Sequence, residues 1–353
     1  MTAAPERPIR VLMVTSEWPR ESWGGTATFI PRQAEFLRAA GVHVDVFQFR
    51  GRQRAWNYAR AWADVRRRLR TGAYDLVHAQ FGQSGLVALP RPKRVPLIVT
   101  LRGDDLLGML DDTDGRLTLG GRLLARLTRF VARRADAVIV VSEHMKGFLD
   151  AGVEAHVIPS GLDLARFRPM PRAEARARLG LPHDRRLVLF VGRPDLARKR
   201  ADLAKRAVGL VDPALRADFV LGWGVPHADI PVYMNACDAL VFTSIQEGSP
   251  NVVKEALACD LPVVSVAVGD VPERLRGVDN CELCPDDRPE TIARALERIL
   301  QRDARCNGRA AVTPLAEEAM TQRVVALYQS ILDGRGARAH AQPPGVPAPC
   351  AES

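Results

Sequence analysis

The chain has 353 residues, too many for one ordinary hydrophobic core and suited to two domains of common size. It is 47% hydrophobic and sets 50 Lys and Arg against 41 Asp and Glu, a formal charge of +9, with a sequence pI of about 9.7. That composition excludes a disordered or collagen-like chain, and its basic balance favours anionic partners: nucleotide phosphates, an acidic membrane surface or nucleic acid.

No apolar run approaches the ~20 residues needed to span a bilayer. Met1 to Pro8 contains no hydrophobic signal core, so a cytoplasmic location is expected. The six cysteines (Cys237, Cys259, Cys281, Cys284, Cys306 and Cys350) show no framework spacing. Cys281 and Cys284 form a lone CxxC without a second ligand pair, so reduced thiols and no metal site are expected.

In chain order, Ile9 to Val14 predicts an apolar strand, followed by a Gly-containing loop and a helix from about Thr26 to Ala40, which Gly41 stops. Strands recur at Val42 to Phe47, Leu76 to His78, Pro96 to Leu101 and Ala137 to Val141, with helical patterns between them. A turn-rich stretch follows, and the alternation restarts with strands at Leu187 to Val191, Phe219 to Leu221, Ala239 to Phe242 and Val263 to Val266. Helices are expected over Pro250 to Ala258 and Pro289 to Leu300. Alternating strands and helices predict an α/β fold of two doubly wound, Rossmann-like domains, each a parallel sheet covered on both faces. The expected divisions are 1–165, 166–315, a last helix over 316–333 and a disordered tail over 334–353 rich in Ala, Pro, Gly and Arg.

Two segments are unusually basic. Arg52 to Arg70 carries seven arginines and one aspartate among Trp56, Tyr58 and Trp62, and Arg116 to Arg134 sets six arginines among leucines, Phe130 and Val131. Both read as amphipathic helices, either with a solvated arginine face over a core stripe or with a cationic face for an anionic membrane.

The most specific signal is Ser244-Ile-Gln-Glu-Gly-Ser-Pro-Asn-Val-Val-Lys-Glu255. A strand ends near Thr243, a glycine loop follows, and Pro250 falls where the first helical residue belongs, with Ser249 as N-cap. Such a helix start aims backbone N–H groups at an anion. Glu247 sits in the loop and Glu255 inside the helix, so the two reach different parts of one bound molecule. Carboxylates accept two hydroxyl donors at once, which suits sugars. The loop Gly192-Arg193-Pro-Asp-Leu-Ala-Arg-Lys199 puts cations at the carboxyl end of another strand, where open α/β sheets bind ligands. Trp23-Gly24-Gly25-Thr26 fills the matching place in the first domain.

At these residues the chain resembles the retaining glycosyltransferases of family four, with the GT-B fold, from about Ile9 to Leu332. The Glu-x7-Glu pair Glu247 and Glu255 is that family's signature, and its surroundings are similar to bacterial enzymes that build cell-surface polysaccharides. Val157-Ile-Pro-Ser-Gly-Leu-Asp-Leu-Ala-Arg-Phe-Arg-Pro169 is similar to the family's interdomain segment. The resemblance implies a nucleotide-sugar donor, a saccharide or lipid-linked acceptor, and a last helix that crosses back to the first domain. Arg193 and Lys199 would hold the diphosphate, and Glu255 the ribose. Glu247, Gly248 and Ser249, beside Pro250 and Asn251, would meet the transferred sugar. Gly24 and Gly25 would lie near diphosphate and acceptor. No metal or other cofactor is implied, because cations and a helix terminus take that role.

Two departures stand out. Thr100-Leu-Arg-Gly-Asp-Asp105 places Arg102 where the family often has His, so Arg102 joins Glu247, Arg193 and Lys199 as a candidate catalytic residue, with side-chain pairing to Asp104 or Asp105 as the alternative. The stretch from Ala201 to Pro226 is short, which obscures base selectivity. His78 reads as a buried hydrogen-bonded histidine more readily than as a catalytic one, His144 is a lesser candidate for the cleft, and Trp223 either stacks on a base or fills the condensed loop. The competing readings are, among enzymes, a GT-B relative that uses the same donor site differently, such as a sugar-phosphate synthase or a nucleotide-sugar epimerase, and, outside enzymes, a catalytically inactive scaffold of a polysaccharide-assembly complex. A nucleic-acid partner is not expected, since no binding module accompanies the basic helices.

Overall fold

The computed structural model describes residues 7–18, 29–51 and 55–340. The first half runs β1 (Arg10–Thr15), α1 (Phe29–Ala39), β2 (His43–Gln48), α2 (Ala55–Thr71), β3 (Leu76–Gln80), α3 (Gly82–Ala88), β4 (Leu97–Leu101), α4 (Asp104–Leu107), α5 (Leu119–Ala132), β5 (Ala137–Val140), α6 (Glu143–Lys146) and β6 (Ala155–Val157). Its strands form a six-stranded parallel sheet in the order β2-β1-β3-β4-β5-β6. The second half runs α7 (Arg172–Leu179), β7 (Arg186–Phe190), α8 (Ala201–Gly209), β8 (Ala217–Leu221), α9 (Ile230–Ala236), β9 (Ala239–Phe242), α10 (Asn251–Ala258), β10 (Val263–Val266), α11 (Val271–Leu275), β11 (Glu282–Cys284), α12 (Pro289–Arg302) and α13 (Gly308–Val312). Its five parallel strands follow the order β11-β10-β9-β7-β8. A last helix, α14 (Glu317–His340), returns to the first domain.

Strand periodicity explains why both faces of the first sheet are covered. Along β1, Val11 and Met13 enter one apolar cluster and Leu12 and Val14 the other. The first of these clusters continues through α14 into the second domain, where Leu187, Leu189 and Leu240 join it. Along β3 the same alternation puts Leu76, His78 and Gln80 on the face that α1 and α14 cover, while Val77 and Ala79 face the other way.

The chain crosses between domains twice, side by side. Leu162 N–H donates to Leu315 C=O (2.9 Å) and Glu317 N–H to Leu162 C=O (3.1 Å). Beyond the second crossing, Arg32 on α1 pairs with Glu317 (3.1 Å).

Several expectations change in detail. The short strands β6 and β11 were not foreseen, since three residues give no periodicity to read. The last helix continues past 333 to His340, so the part of the expected tail within the described residues is helical, and the rest lies outside them. The helix expected from Thr26 is described from Phe29. Helix α10 begins at Asn251, with Pro250 rather than Ser249 in the cap position. The Ser249 hydroxyl is engaged elsewhere, donating to Asp270 (2.8 Å).

Both basic segments are helical. α2 buries Ala61, Val65 and Leu69 yet leaves Trp56 71% exposed, and α5 buries Ala125, Thr128 and Val131 yet leaves Leu119 82% exposed. The described cysteines are free. Among the described residues, no helix is long and apolar enough to cross a membrane.

Candidate active site

The carboxyl ends of both sheets face one another across a cavity of about 370 Å³. From the first domain its wall receives Phe81 and Gln83 after β3, Arg102 to Asp105 after β4, and Val141 after β5. From the second it receives Arg198 after β7 and Glu247 to Asn251 after β9. This is where a parallel sheet delivers its loops, so the chemistry is concentrated by topology before any side chain is considered.

The second-domain wall is built from ion pairs. Glu247, 15% exposed at its side chain, accepts a short hydrogen bond from Lys199 Nζ and a longer one from Arg198 Nη1 (3.5 Å). Arg198 and Lys199 share a single 3-10 turn, Ala197–Lys199, so one turn brings two cations to one carboxylate. Arg193 takes another course: it chelates Asp195, lies 6.0 Å from the Trp223 ring, and is absent from the cavity wall. Glu255 lies deeper along α10, 14% exposed, with its carboxylate 3.9 Å from His227 Nε2. Burial pushes its carboxyl up to about 7, against the nearby charges of Lys254, Arg32 and Arg166.

Gly248 shows how closely the two walls meet. Its carbonyl accepts from Ser142 Oγ (2.8 Å), and a Cβ on it would stand 2.4 Å from the Arg102 carbonyl oxygen. Only a residue without a side chain fits there.

The first-domain wall uses neutral partners around a charge. The Arg102 guanidinium donates to Gln80 Oε1 (2.7 and 3.2 Å), Gln33 Oε1 (3.0 Å) and Ser160 Oγ (2.7 Å), and it stacks 4.6 Å from the Phe29 ring centroid. Side-chain pairing with Asp104 or Asp105 does not occur. Asp105 instead accepts the backbone N–H groups of Gly82, Arg102 and Gly103 at 3.0 to 3.1 Å, which ties the loops after β3 and β4 together. Burial pulls the Arg102 guanidinium down to about 10, so it stays charged at neutral pH. From the second domain, Lys254 reaches the same linker and donates to the Ser160 carbonyl (3.3 Å).

The structure thus brings Arg102, Glu247, Gly248, Ser249, Pro250 and Asn251 onto one cavity wall, with Lys199 bonded to Glu247 behind it, whereas Glu255, beside His227, and Arg193, chelating Asp195, do not line the cavity. Gly24 and Gly25 lie outside the described residues. His144 is exposed on α6 against Phe148, away from the cavity wall. Sequence reasoning missed Arg198, Gln33, Gln80, Ser160 and Phe81. Phe81 shows itself only in the structure, where it adopts φ 72°, a strained value for an aromatic residue. Among the described residues, no group of three or more His, Cys, Asp or Glu is arranged to hold a metal ion.

Comparison with known proteins agrees with this architecture. The family descriptions Glycosyltransferase Family 4 and Glycosyl transferases group 1 match residues 9–166 and 183–302. The chain is 30% identical over 313 residues to a D-inositol 3-phosphate glycosyltransferase 1 of Catenulispora acidiphila, covering 74% of each. It is 30% identical over 247 residues to a putative teichuronic acid biosynthesis glycosyltransferase of Bacillus subtilis, covering 64% of this chain and 61% of that one. Among solved structures it resembles the sucrose-phosphate synthase of Thermosynechococcus elongatus (TM-score 0.77, 24% identity, 93% of this chain and 100% of the other). It also resembles HepE of Anabaena in complex with UDP and glucose (TM-score 0.67, 18% identity, 91% and 100%). Sequence and fold together place the chain in one family: it belongs to the family 4, group 1 glycosyltransferases, built on the GT-B fold.

Proposed function

We propose that this glycosyltransferase moves a sugar from a nucleotide-sugar donor to a saccharide or lipid-linked acceptor in surface-polysaccharide assembly, with retention and without a metal. The observation that carries this reading is the pairing of Lys199 and Arg198 with Glu247 at the mouth of the second sheet, in the loop that leads into α10, the helix that carries Glu255. In this reading a diphosphate displaces Glu247 from the cations, which then take the charge that grows on the leaving group. Glu247 is released toward sugar hydroxyls, with the backbone of Gly248 and Ser249 beside it. Pro250 and Asn251 open the helix on the same side, and Glu255 receives the ribose hydroxyls. Arg193 swings from the exposed Asp195 pair to the phosphate. Gly24 and Gly25 approach diphosphate and acceptor. Retention follows from front-face attack, with the acceptor proton passing to the departing phosphate, so the protein contributes position and electrostatics rather than a covalent nucleophile. No metal is invoked because the cationic side chains supply the charge.

Support for the donor comes from the UDP complex of the similar Anabaena protein, and support for the surface-polymer role from the Bacillus subtilis relative. The Catenulispora relative, named for D-inositol 3-phosphate, adds a phosphorylated polyol to the acceptors worth testing. The arginine-rich α2 and α5, with Trp56, Trp62, Leu119 and Leu123 exposed, support peripheral attachment to an anionic membrane at its cytoplasmic face. Charge-reversed α2 and α5 should lose binding to anionic phosphatidylglycerol vesicles, and undiminished binding would remove this part of the reading.

Calorimetry with UDP-, GDP-, dTDP- and ADP-sugars tests the core of the proposal. One donor should bind the parent, and Glu255→Ala should weaken it by at least about ten-fold, ~1.4 kcal/mol. Failure of every donor to bind folded protein would favour the second reading, an inactive scaffold of a polysaccharide-assembly complex.

A further inference from the structure

Gln80 is fixed from both ends of its amide. Its Oε1 accepts twice from Arg102, from Nε at 3.2 Å and Nη2 at 2.7 Å. Its Nε2 donates to Gln33 Oε1 (3.0 Å) and faces His78 Nε2 at 3.4 Å. Reversing the amide would set its nitrogen against the guanidinium N–H groups, so only one orientation satisfies the network. Gln33 Oε1 accepts from Gln80 and Arg102 together, closing a ring of two amides and one guanidinium.

The ring rests on a buried polar column. His78, fully buried, has Tyr328 Oη 2.6 Å from Nδ1 and Thr100 Oγ1 2.7 Å from Nε2. Burial and the Arg102 charge hold the imidazole down to about 3, so it is neutral. Both ring nitrogens are therefore engaged, Nδ1 by Tyr328 and Nε2 by Thr100 with the Gln80 amide beside it, which fixes the plane of the ring. Tyr328 is fully buried and comes from α14, the helix that crosses back from the second domain.

We infer that Gln80 and Gln33 are positioning residues for Arg102, and that His78 and the returning Tyr328 lock the Gln80 amide in its working orientation. Amides, unlike carboxylates, fix the guanidinium in place without neutralising it. The Arg102 charge is therefore held at one angle on the cleft wall by hydrogen bonds to neutral groups, with Asp105 and Glu317 acting on it only through space. The inference deepens the transferase reading and rests on it for the role of Arg102, although not for its orientation.

A double-mutant cycle tests the role. Gln80→Leu and Gln33→Leu are each made in the parent and in Arg102→Lys, which keeps the charge but loses the fork. Turnover is followed with the donor that binds in calorimetry. Each single change should lower kcat/KM by about ten-fold in the parent and by less than about two-fold in Arg102→Lys. Equal losses in both backgrounds would mean a merely structural role and overturn the inference, as would parent-like turnover of either variant. Should Gln80→Leu fail to fold, Gln33→Leu on the half-buried face of α1 decides by the same criteria. A second readout does not depend on turnover. The Arg102 side-chain N–H signals in nitrogen-15 NMR should show slow rotation of the guanidinium in the parent and in donor-free protein, lost in Gln80→Leu and partly lost in Tyr328→Phe. Free rotation in the parent would overturn the inference even if the enzyme is active. Absence of any turnover in the parent, with slow Arg102 rotation retained, would instead count against the transferase reading.

Discussion

The two walls of the cleft handle charge by opposite means. On the first-domain side, Arg102 is buried among amides and a hydroxyl, with every described side-chain acceptor neutral. On the second-domain side, Lys199 and Arg198 are both paired with Glu247. Neutral partners leave a charge in place before and after binding, so that wall is preorganised. Ion pairs must exchange partners when an anion arrives, so the other wall adapts, and part of the binding energy is used in breaking contacts already made.

The sharpest break of this comparison is Lys199→Met. It leaves the largely buried Glu247 with only the longer Arg198 contact, and kcat/KM for the donor should fall by about a hundred-fold. A loss under about three-fold would show that the paired wall is not the working one. Next comes Gly248→Ala, which pushes the walls apart. The added Cβ meets the Arg102 carbonyl at 2.4 Å and Met145 Sδ at 2.9 Å, so a loss of roughly 1–3 kcal/mol is expected in thermal unfolding, together with reduced turnover.

Glu255 gives a pH test. Its folded value, about 7, lies above its ordinary value of 4.5. Its contribution to stability is therefore fully present below 4.5 and is lost as pH rises through 7. Binding runs the other way, because only the carboxylate is a pure acceptor: donor affinity should rise by about ten-fold from pH 6 to 8 and flatten in Glu255→Gln. A flat profile in the parent would remove Glu255 from the ribose site. The smallest effect belongs to Arg193→Ala. Stability should change by less than about 0.5 kcal/mol because the pair with Asp195 is half-exposed. Donor affinity should still fall by roughly three-fold to ten-fold if the guanidinium swings to the diphosphate. Unchanged affinity would leave Arg193 as a surface residue.

What could be read from the sequence follows from how local each signal is. The doubly wound halves are legible because β1, β4, β5, β7 and β9 are buried on both faces and therefore read as continuous apolar runs. Glu247, Gly248 and Lys199 are legible because a loop, a glycine and a charge stand together at a strand end. Arg198 and Arg193 were harder to separate: five residues apart on one loop, only Arg198 lies in the 3-10 turn, where it meets Glu247, while Arg193 precedes the turn and pairs with Asp195. The amide ring was invisible for another reason. Gln33, Gln80, Arg102 and Ser160 are spread over 128 positions of chain and meet only through folding. Its one local trace is Leu76-Val-His-Ala-Gln80, where two polar residues alternate onto a single face of a buried strand. The absence of a Ser249 cap was likewise settled at long range, by Asp270.

The paired crossings at Leu162 and Ala316 have a mechanical meaning. Two strands of chain stapled together by hydrogen bonds act as one axle rather than two independent straps. Swinging about that axle changes few dihedral angles, whereas sliding or twisting one half across the other would have to break the Leu162 staple and drag Tyr328 off His78. Opening the cleft about that axle has its own cost, because Ser142 on the Gly248 carbonyl and Gln246 on the Gly108 carbonyl bind the two rims together and would have to let go first.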